Sequence, residues 1–338
     1  MGRANDEENG GIMGLTEDEV AARARDIKVF GFDLDGTFLR DDKSVSPRTK
    51  AAVRALIEHG IEPVPTTGRT WQRLCQSVLG MDEFHYTVCA CGSVIRDRTT
   101  GEFLRHDVID PRTAAELIRR LKQPGVVIYL CLDDPYGTRL GDCISRDEYV
   151  RVRGKERWKE PLTCYDVPAL IEANRWGVVK VGVRYAAPWR DDDFIAIGDE
   201  LNLTSNPCGP NNVEYNVPGV SKAGGLATVA ERLGCTIDNV CAIGDSGNDV
   251  EMLRAAGLGI AMGNATEVAR EAADYTLPFT NEQDGLADFI EHYLLVYRGG
   301  GNGFARPVLP VVRVSRRRGV ASCYTYARQR VAGVSSSG

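Results

Sequence analysis

Histidine is scarce in this chain. Its 338 residues include four, His59, His85, His106 and His292, none at a spacing that two metal ligands on one turn or helix would need, and none is assigned a role. Cysteine occurs ten times but never as C-x-x-C, which argues against a zinc ribbon or a thioredoxin-type redox pair. Buried, reduced thiols are expected instead, with Cys89-Ala90-Cys91 predicted to lie in a strand and turn two side chains to one face. No apolar run approaches the roughly 20 residues of a membrane-spanning helix, and Met1–Asn9 is acidic where a secretory leader would be basic and then apolar. A cytoplasmic protein with no membrane partner is the expectation.

Positive charge is also missing from most of the chain. The net charge is −6, yet the segment from Arg298 onward holds eight arginines and no acid, so the remainder carries about −14. A body this acidic is a poor partner for nucleic acid. The tail itself, with Gly299-Gly300-Gly301, Arg316-Arg317-Arg318 and Ser335-Ser336-Ser337-Gly338, has the composition of a solvated, disordered extension. Its arginines leave a nucleic-acid or membrane-surface contact as an alternative for that segment alone.

What the chain does have is Phe32-Asp33-Leu34-Asp35-Gly36-Thr37, two carboxylates at i and i+2 after the apolar run Ile27–Phe32. A strand feeding a glycine turn delivers such acids side by side, and the turn lets backbone amides approach an anion. Phosphate chemistry suits this arrangement: one Asp attacks phosphorus to give an aspartyl-phosphate, and its neighbour handles the leaving group's proton. The hexapeptide alone also describes a solvated turn. Three further segments favour the site. Val64-Pro65-Thr66-Thr67-Gly68-Arg69 ends an extended stretch with hydroxyls and a glycine, Val220-Ser221-Lys222 opens a helix with a cation, and Ile243-Gly244-Asp245-Ser246-Gly247-Asn248-Asp249 ends another apolar strand with carboxylates. Strand carboxyl ends and helix starts are where open α/β sheets bind ligands and anions.

These segments, together with Gly259-Ile260-Ala261-Met262-Gly263-Asn264-Ala265, resemble the haloacid dehalogenase (HAD) superfamily, and within it the Cof-type, class IIB phosphatases, over about residues 27–297. The resemblance implies a Mg²⁺-dependent hydrolase acting on a small phosphate ester, either a sugar phosphate or a phosphorylated cofactor such as pyridoxal phosphate or flavin mononucleotide. It implies Asp33 as nucleophile and metal ligand. Asp35 becomes the acid and base, with its backbone carbonyl toward the metal, and Asp245 and Asp249 complete or support the metal site. Leu34, Thr67, Gly68, Lys222 and Asn248 are implied to hold phosphoryl oxygens, while Arg69, Asn264 and Lys180 are structural or substrate-orienting candidates. Cys91-Gly92-Ser93 departs from the family's Asn-Gly-Ala, which puts the steadying of that loop in question. A phosphomutase would use the same aspartyl-phosphate but return the group to a sugar, and a non-hydrolytic phospho-acceptor domain shares the acidic cluster but is far shorter. The identity of the ester and the oligomeric state are not fixed by these motifs.

Alternating strand and helix patterns predict an α/β fold, a doubly wound, mostly parallel sheet with an inserted α/β cap. The expected division is a peripheral segment 1–26 with a short helix from Thr16 to Arg25, a catalytic core 27–95 and 212–297, a C2-type cap 96–211, and the tail 298–338. Pro63 and Pro65 predict a short or distorted second strand, because each removes a ladder donor.

Overall fold

The computed structural model describes residues 14–133, 139–143, 151–152, 166–208 and 210–296; the predicted basic tail lies outside the described residues. Strands are numbered along the chain: β1 (Val29–Phe32), β2 (Glu62–Pro65), β3 (Tyr86–Cys89), β4 (Val94–Asp97), β5 (Phe103–His106), β6 (Val126–Leu132), β7 (Arg139–Cys143), β8 (Val178–Tyr185), β9 (Thr204–Pro207), β10 (Asn212–Asn216), β11 (Val240–Gly244), β12 (Leu258–Ala261) and β13 (Tyr275–Thr276).

Five of them form a parallel sheet in the order β13-β12-β11-β1-β2. The chain winds from β1 to one side through β2 and later to the other through β11, so the two winding directions part between β1 and β11. The crevice at the carboxyl ends of such a pair is the natural ligand site of a doubly wound sheet. Helices Pro47–Glu58 and Lys222–Arg232 connect these strands, and both start as the sequence predicts. Ser46 accepts from the Thr49 amide ahead of Pro47, and Ser221 accepts from the Gly224 amide ahead of Lys222.

The prolines of β2 have a geometric explanation. Alternate residues of a strand point their N–H groups to opposite neighbours. Glu62 and Thr66 donate to the carbonyls of Lys28 and Phe32 on the β1 side, so Pro63 and Pro65 fall on the other side. Pairing with β1 is intact, whereas contact toward β3 is reduced to the Thr66–Val88 bridge and the Thr67 amide on the Val88 carbonyl (2.8 Å).

A second, wholly antiparallel sheet runs β7-β6-β8-β10-β9, and a small one runs β3-β4-β5. Strand β10, expected with the core, pairs with β8 and β9 in the second sheet, so the return to the core comes after Asn216. Position 96 falls inside β4, which is not a boundary either. The helix Glu17–Ala24 is likewise not peripheral: Thr16 and Glu19 cap it reciprocally, and Val20 and Ala24 are buried in the main core.

Beneath the first sheet's carboxyl end, Phe32 contacts Phe30, Phe38 and Phe84 with ring centroids 5.7, 5.0 and 5.6 Å away. This cluster backs the turn that carries Asp33. Replacing Phe84 by Ala should cost about 3–5 kcal/mol of folding free energy, measured by urea denaturation. A cost below about 1 kcal/mol would show that the cluster does not carry the turn.

Candidate active site

Asp33 leaves the end of β1 and Asp245 the end of β11, two adjacent strands in register. The backbone binds the two turns together. The Asp33 amide donates to the Ile243 carbonyl (3.0 Å), and the Phe38 and Leu39 amides fold the following turn back onto the Asp33 and Leu34 carbonyls (3.2 and 2.8 Å). Gly36, at φ +84°, cannot be replaced cheaply. A Cβ there would stand 2.5 Å from Asp245 Oδ2, in a backbone region that side chains disfavour. Thr37 donates its hydroxyl to Asp245 Oδ1 (2.9 Å), tying the two motifs by a side chain as well.

Lys222 and Asp249 complete the centre, and both are buried. The Lys222 ammonium donates to Asp33 Oδ1 and Asp249 Oδ1, both at 2.6 Å, and more weakly to Asn248 Oδ1 at 3.3 Å. The other oxygen of Asp249 accepts from the Asp245 and Ser246 amides (3.0 and 2.9 Å), so Asp249 braces the second acidic turn. Asp33, Asp245 and Asp249 each offer a carboxylate oxygen within 4.8 Å of the others. Hard oxygen donors gathered this closely suit Mg²⁺.

The electrostatics point the same way. Burial, offset in part by Lys222, raises the Asp33 carboxyl to about 7, and burial with the Asp33 and Asp249 charges raises Asp245 to about 8. Burial alone would lower the Lys222 ammonium, but Asp249 and Asp33 outweigh it and hold Lys222 well above its ordinary value. One ammonium among three crowded carboxyls leaves negative charge uncompensated, the condition a divalent cation relieves.

Asp35 stands apart from this cluster. Burial would raise its carboxyl, but Arg69 grips both oxygens (2.7 and 2.6 Å) and Lys43 adds a third bond (2.7 Å), bringing it down to about 2. Asp35 is therefore ionised here, not the neutral acid that leaving-group protonation needs. Leu34 is buried in the apolar core, so only its backbone is available to an anion. Thr67 is buried with its hydroxyl accepting from the Arg69 amide (3.1 Å), and Gly68 lies beside Asn248 and Cys91. Asn264 joins the Gly36 carbonyl (2.8 Å) to the Asn281 amide (3.1 Å), a structural role.

Several participants carry no motif in the sequence. Lys180 on β8 donates to the Gly68 carbonyl (2.7 Å) and to Glu214 on β10 (2.8 Å), bringing the second sheet to the loop that holds Thr67. Cys91 adopts a left-handed turn after β3 ends at Cys89, so the two thiols do not share a strand face. Burial pushes these thiols to about 12 for Cys89 and about 11 for Cys91, leaving both neutral. The amide of Asn216 donates to the Ala90 carbonyl (3.1 Å) and the Ser93 hydroxyl (3.2 Å), steadying the loop where the Asn-Gly-Ala asparagine is absent. The Asn-Val-Glu-Tyr-Asn alternation of residues 212–216 was the available signal, a strand with one polar face.

A strand-end Asp pair facing a buried lysine on a doubly wound sheet, with an inserted antiparallel unit, defines a HAD-type hydrolase. A family model for haloacid dehalogenase-like hydrolases matches residues 30–290, and the chain belongs to that family, among its Cof-type phosphatases. It is 30% identical over 277 residues to the 5-amino-6-(5-phospho-D-ribitylamino)uracil phosphatase YcsE of Bacillus subtilis, covering 80% of this chain and 97% of that one. It is 26% identical over 290 residues to the pyridoxal phosphate phosphatase YbhA of Escherichia coli, covering 79% and 99%. Among solved structures, a HAD-superfamily phosphatase from Bacteroides thetaiotaomicron is similar with a TM-score of 0.66 at 25% identity, covering 80% and 96%. No helix among the described residues is long and apolar enough to cross a membrane.

The raised carboxyls give a pH test. A carboxyl raised in the folded state favours folding most below its ordinary pKa and loses that contribution as pH climbs through about 7 and 8. Mg²⁺ binds the ionised forms, so its stabilising effect on Tm should grow from about pH 5 to about pH 8.5. Equal Tm increments at both pH values in thermal melts with Mg²⁺ or EDTA would rule out this cluster as the binding site.

Proposed function

We propose that this chain is a Mg²⁺-dependent phosphatase of a small phosphorylated metabolite, a sugar phosphate or phosphorylated cofactor, working through an aspartyl-phosphate on Asp33. The observation that carries the proposal is the Asp33 carboxylate held by the Lys222 ammonium (2.6 Å) in one buried cluster with Asp245 and Asp249. The curated relatives named above support it, being phosphatases of a ribityl phosphate and of pyridoxal phosphate. A cytoplasmic setting fits the seven free thiols among the described residues.

Each residue then has a task. Lys222 fixes Oδ1 of Asp33; Oδ2, which accepts no hydrogen bond among the described residues, is left to bond phosphorus. As that bond forms, the bond from phosphorus to the ester oxygen breaks, and the leaving oxygen takes a proton from Asp35. Water then attacks phosphorus and gives its proton to Asp35, the acyl-phosphate bond breaks, and Asp33 and inorganic phosphate are released. The pairing of Asp35 with Arg69 and Lys43 favours the base of the second step, and the acid step requires that pairing to open. The Thr67 hydroxyl, the Asn248 amide, and the backbone of Leu34 and Gly68 surround the phosphoryl oxygens, with Lys222 neutralising their charge. Asp33, Asp245 and Asp249 would hold Mg²⁺, the last largely by bracing the turn, and Asp35 would add its carbonyl. The ion supplies charge neutralisation at the phosphoryl group. The antiparallel unit acts as the cap, its Lys180 contact with Gly68 being the support for that role.

Asp33→Asn should abolish phosphate release from p-nitrophenyl phosphate with Mg²⁺, and full activity in that variant would sink the proposal. Lys222→Ala should lower kcat by roughly 10² to 10³, comparable to losing one charge-stabilising donor. Assaying hexose phosphates for isomerisation against release of inorganic phosphate separates hydrolysis from mutase chemistry.

A further inference from the structure

The antiparallel sheet has two unlike faces. One carries Ile128, Leu130, Val181, Val183, Val213 and Tyr215 into an apolar core shared with the helices Pro111–Leu121 and Val167–Asn174. The other carries Tyr129, Lys180, Asn206, Asn212 and Glu214, and it is the face that meets the phosphoryl loop through Lys180.

Glu214 is the centre of that polar face, and its two oxygens are unequally occupied. Oε1 accepts from the Tyr129 hydroxyl and the Lys180 ammonium, both at 2.8 Å. Tyr129 reaches it by lying across Gly182, where a Cβ would strike its ring. Among the described residues Oε2 accepts only from the Cys208 thiol at 3.6 Å, a weak donor, although a carboxylate oxygen has room for two bonds. The side chain is not sealed, with a tenth of its surface still accessible. Its location is defined by Gly68: a methyl placed on that glycine would lie 3.5 Å from Glu214 Oε2 and 3.6 Å from Asn248 Nδ2. The under-used oxygen therefore lies on the cap side of Gly68, beside the proposed phosphoryl site, and shares the Cys208 thiol as a neighbour with the Asn248 amide (3.6 and 4.0 Å).

We propose that Glu214 Oε2 is the acceptor for a hydroxyl or N–H on the carbon skeleton of the leaving group, and that the substrate is the phosphate ester of an uncharged, polyol-type alcohol rather than one bearing a carboxylate. This rests on the phosphatase reading and narrows it. A buried acceptor left with only a weak thiol donor disfavours a leaving group with no donor, and a carboxylate would meet Glu214 as a like charge. Lys180 does not reverse this, because its ammonium is engaged by Glu214 and the Gly68 carbonyl. Arg184, the other cation of this face whose side chain is among those described, donates to the Pro210 carbonyl (3.4 Å) and sits two residues past Gly182, away from Gly68.

The test measures kcat/KM for sorbitol 6-phosphate, 2-phosphoglycolate and p-nitrophenyl phosphate with Mg²⁺, in the wild type and in Glu214→Gln. The wild type should prefer sorbitol 6-phosphate over 2-phosphoglycolate by at least about 10-fold, and Glu214→Gln should lower the ratio of sorbitol 6-phosphate to p-nitrophenyl phosphate by roughly 10- to 100-fold. An unchanged ratio in a variant that still hydrolyses p-nitrophenyl phosphate overturns the proposal and leaves the phosphatase reading standing. A wild-type preference for 2-phosphoglycolate overturns it without the variant, should Glu214→Gln not fold. No phosphate release from any of the three by the wild type removes the phosphatase reading, and this proposal with it.

Discussion

Asp33, Asp249 and Lys222 meet where water is nearly excluded, and their mutual neutralisation is the constraint on which the rest of the site depends. Breaking a buried pair by removing one partner leaves an uncompensated charge, at a cost of about 3–5 kcal/mol, while the intact pair contributes little net stability. The cluster is thus poorly explained as a stabilising device. It is better understood as a fixed charge pattern, prepared before any ligand arrives, in which Lys222 bridges Asp33 and Asp249 while Asp245 lies within reach of both carboxylates.

The sheet topology makes this pattern possible. Adjacent strands β1 and β11 end level with one another, so two acidic turns are delivered side by side without a long loop having to be ordered. The aromatic cluster under Phe32 and the bond from Thr37 to Asp245 then restrict both turns. Rigidity of this kind counts most in phosphoryl transfer, where alignment and electrostatics supply most of the catalysis.

The core was legible in the sequence because its signals are local. The two acidic motifs each follow an apolar strand, and Ser46-Pro47 and Ser221 announce helix starts that the structure reproduces. Asp33, Asp245, Asp249 and Lys222 come together as the motif order suggests. Less legible was whatever depends on pairing at a distance. Nothing in the residues 212–216 says that their strand joins β8 rather than the core, since either sheet would accept the alternation. The engagement of Asp35 by Lys43 likewise depends on a turn at Arg40 to Ser44 that folds the lysine back, a geometry without a motif. The burial of the helix Glu17–Ala24 in the main core is equally hard to read, because a short amphipathic segment gives no hint of what it covers.

The alternation of the antiparallel sheet separates two selective pressures on one element. Tyr129, Asn206, Asn212 and Glu214 stand on one polar face, while the residues between them belong to an apolar layer on the opposite side. Sites with no shared partners contribute almost independently to folding free energy. A sheet built this way can change its polar face over evolutionary time without eroding the packing that keeps it folded, which gives a physical reason for one scaffold to serve many different metabolites.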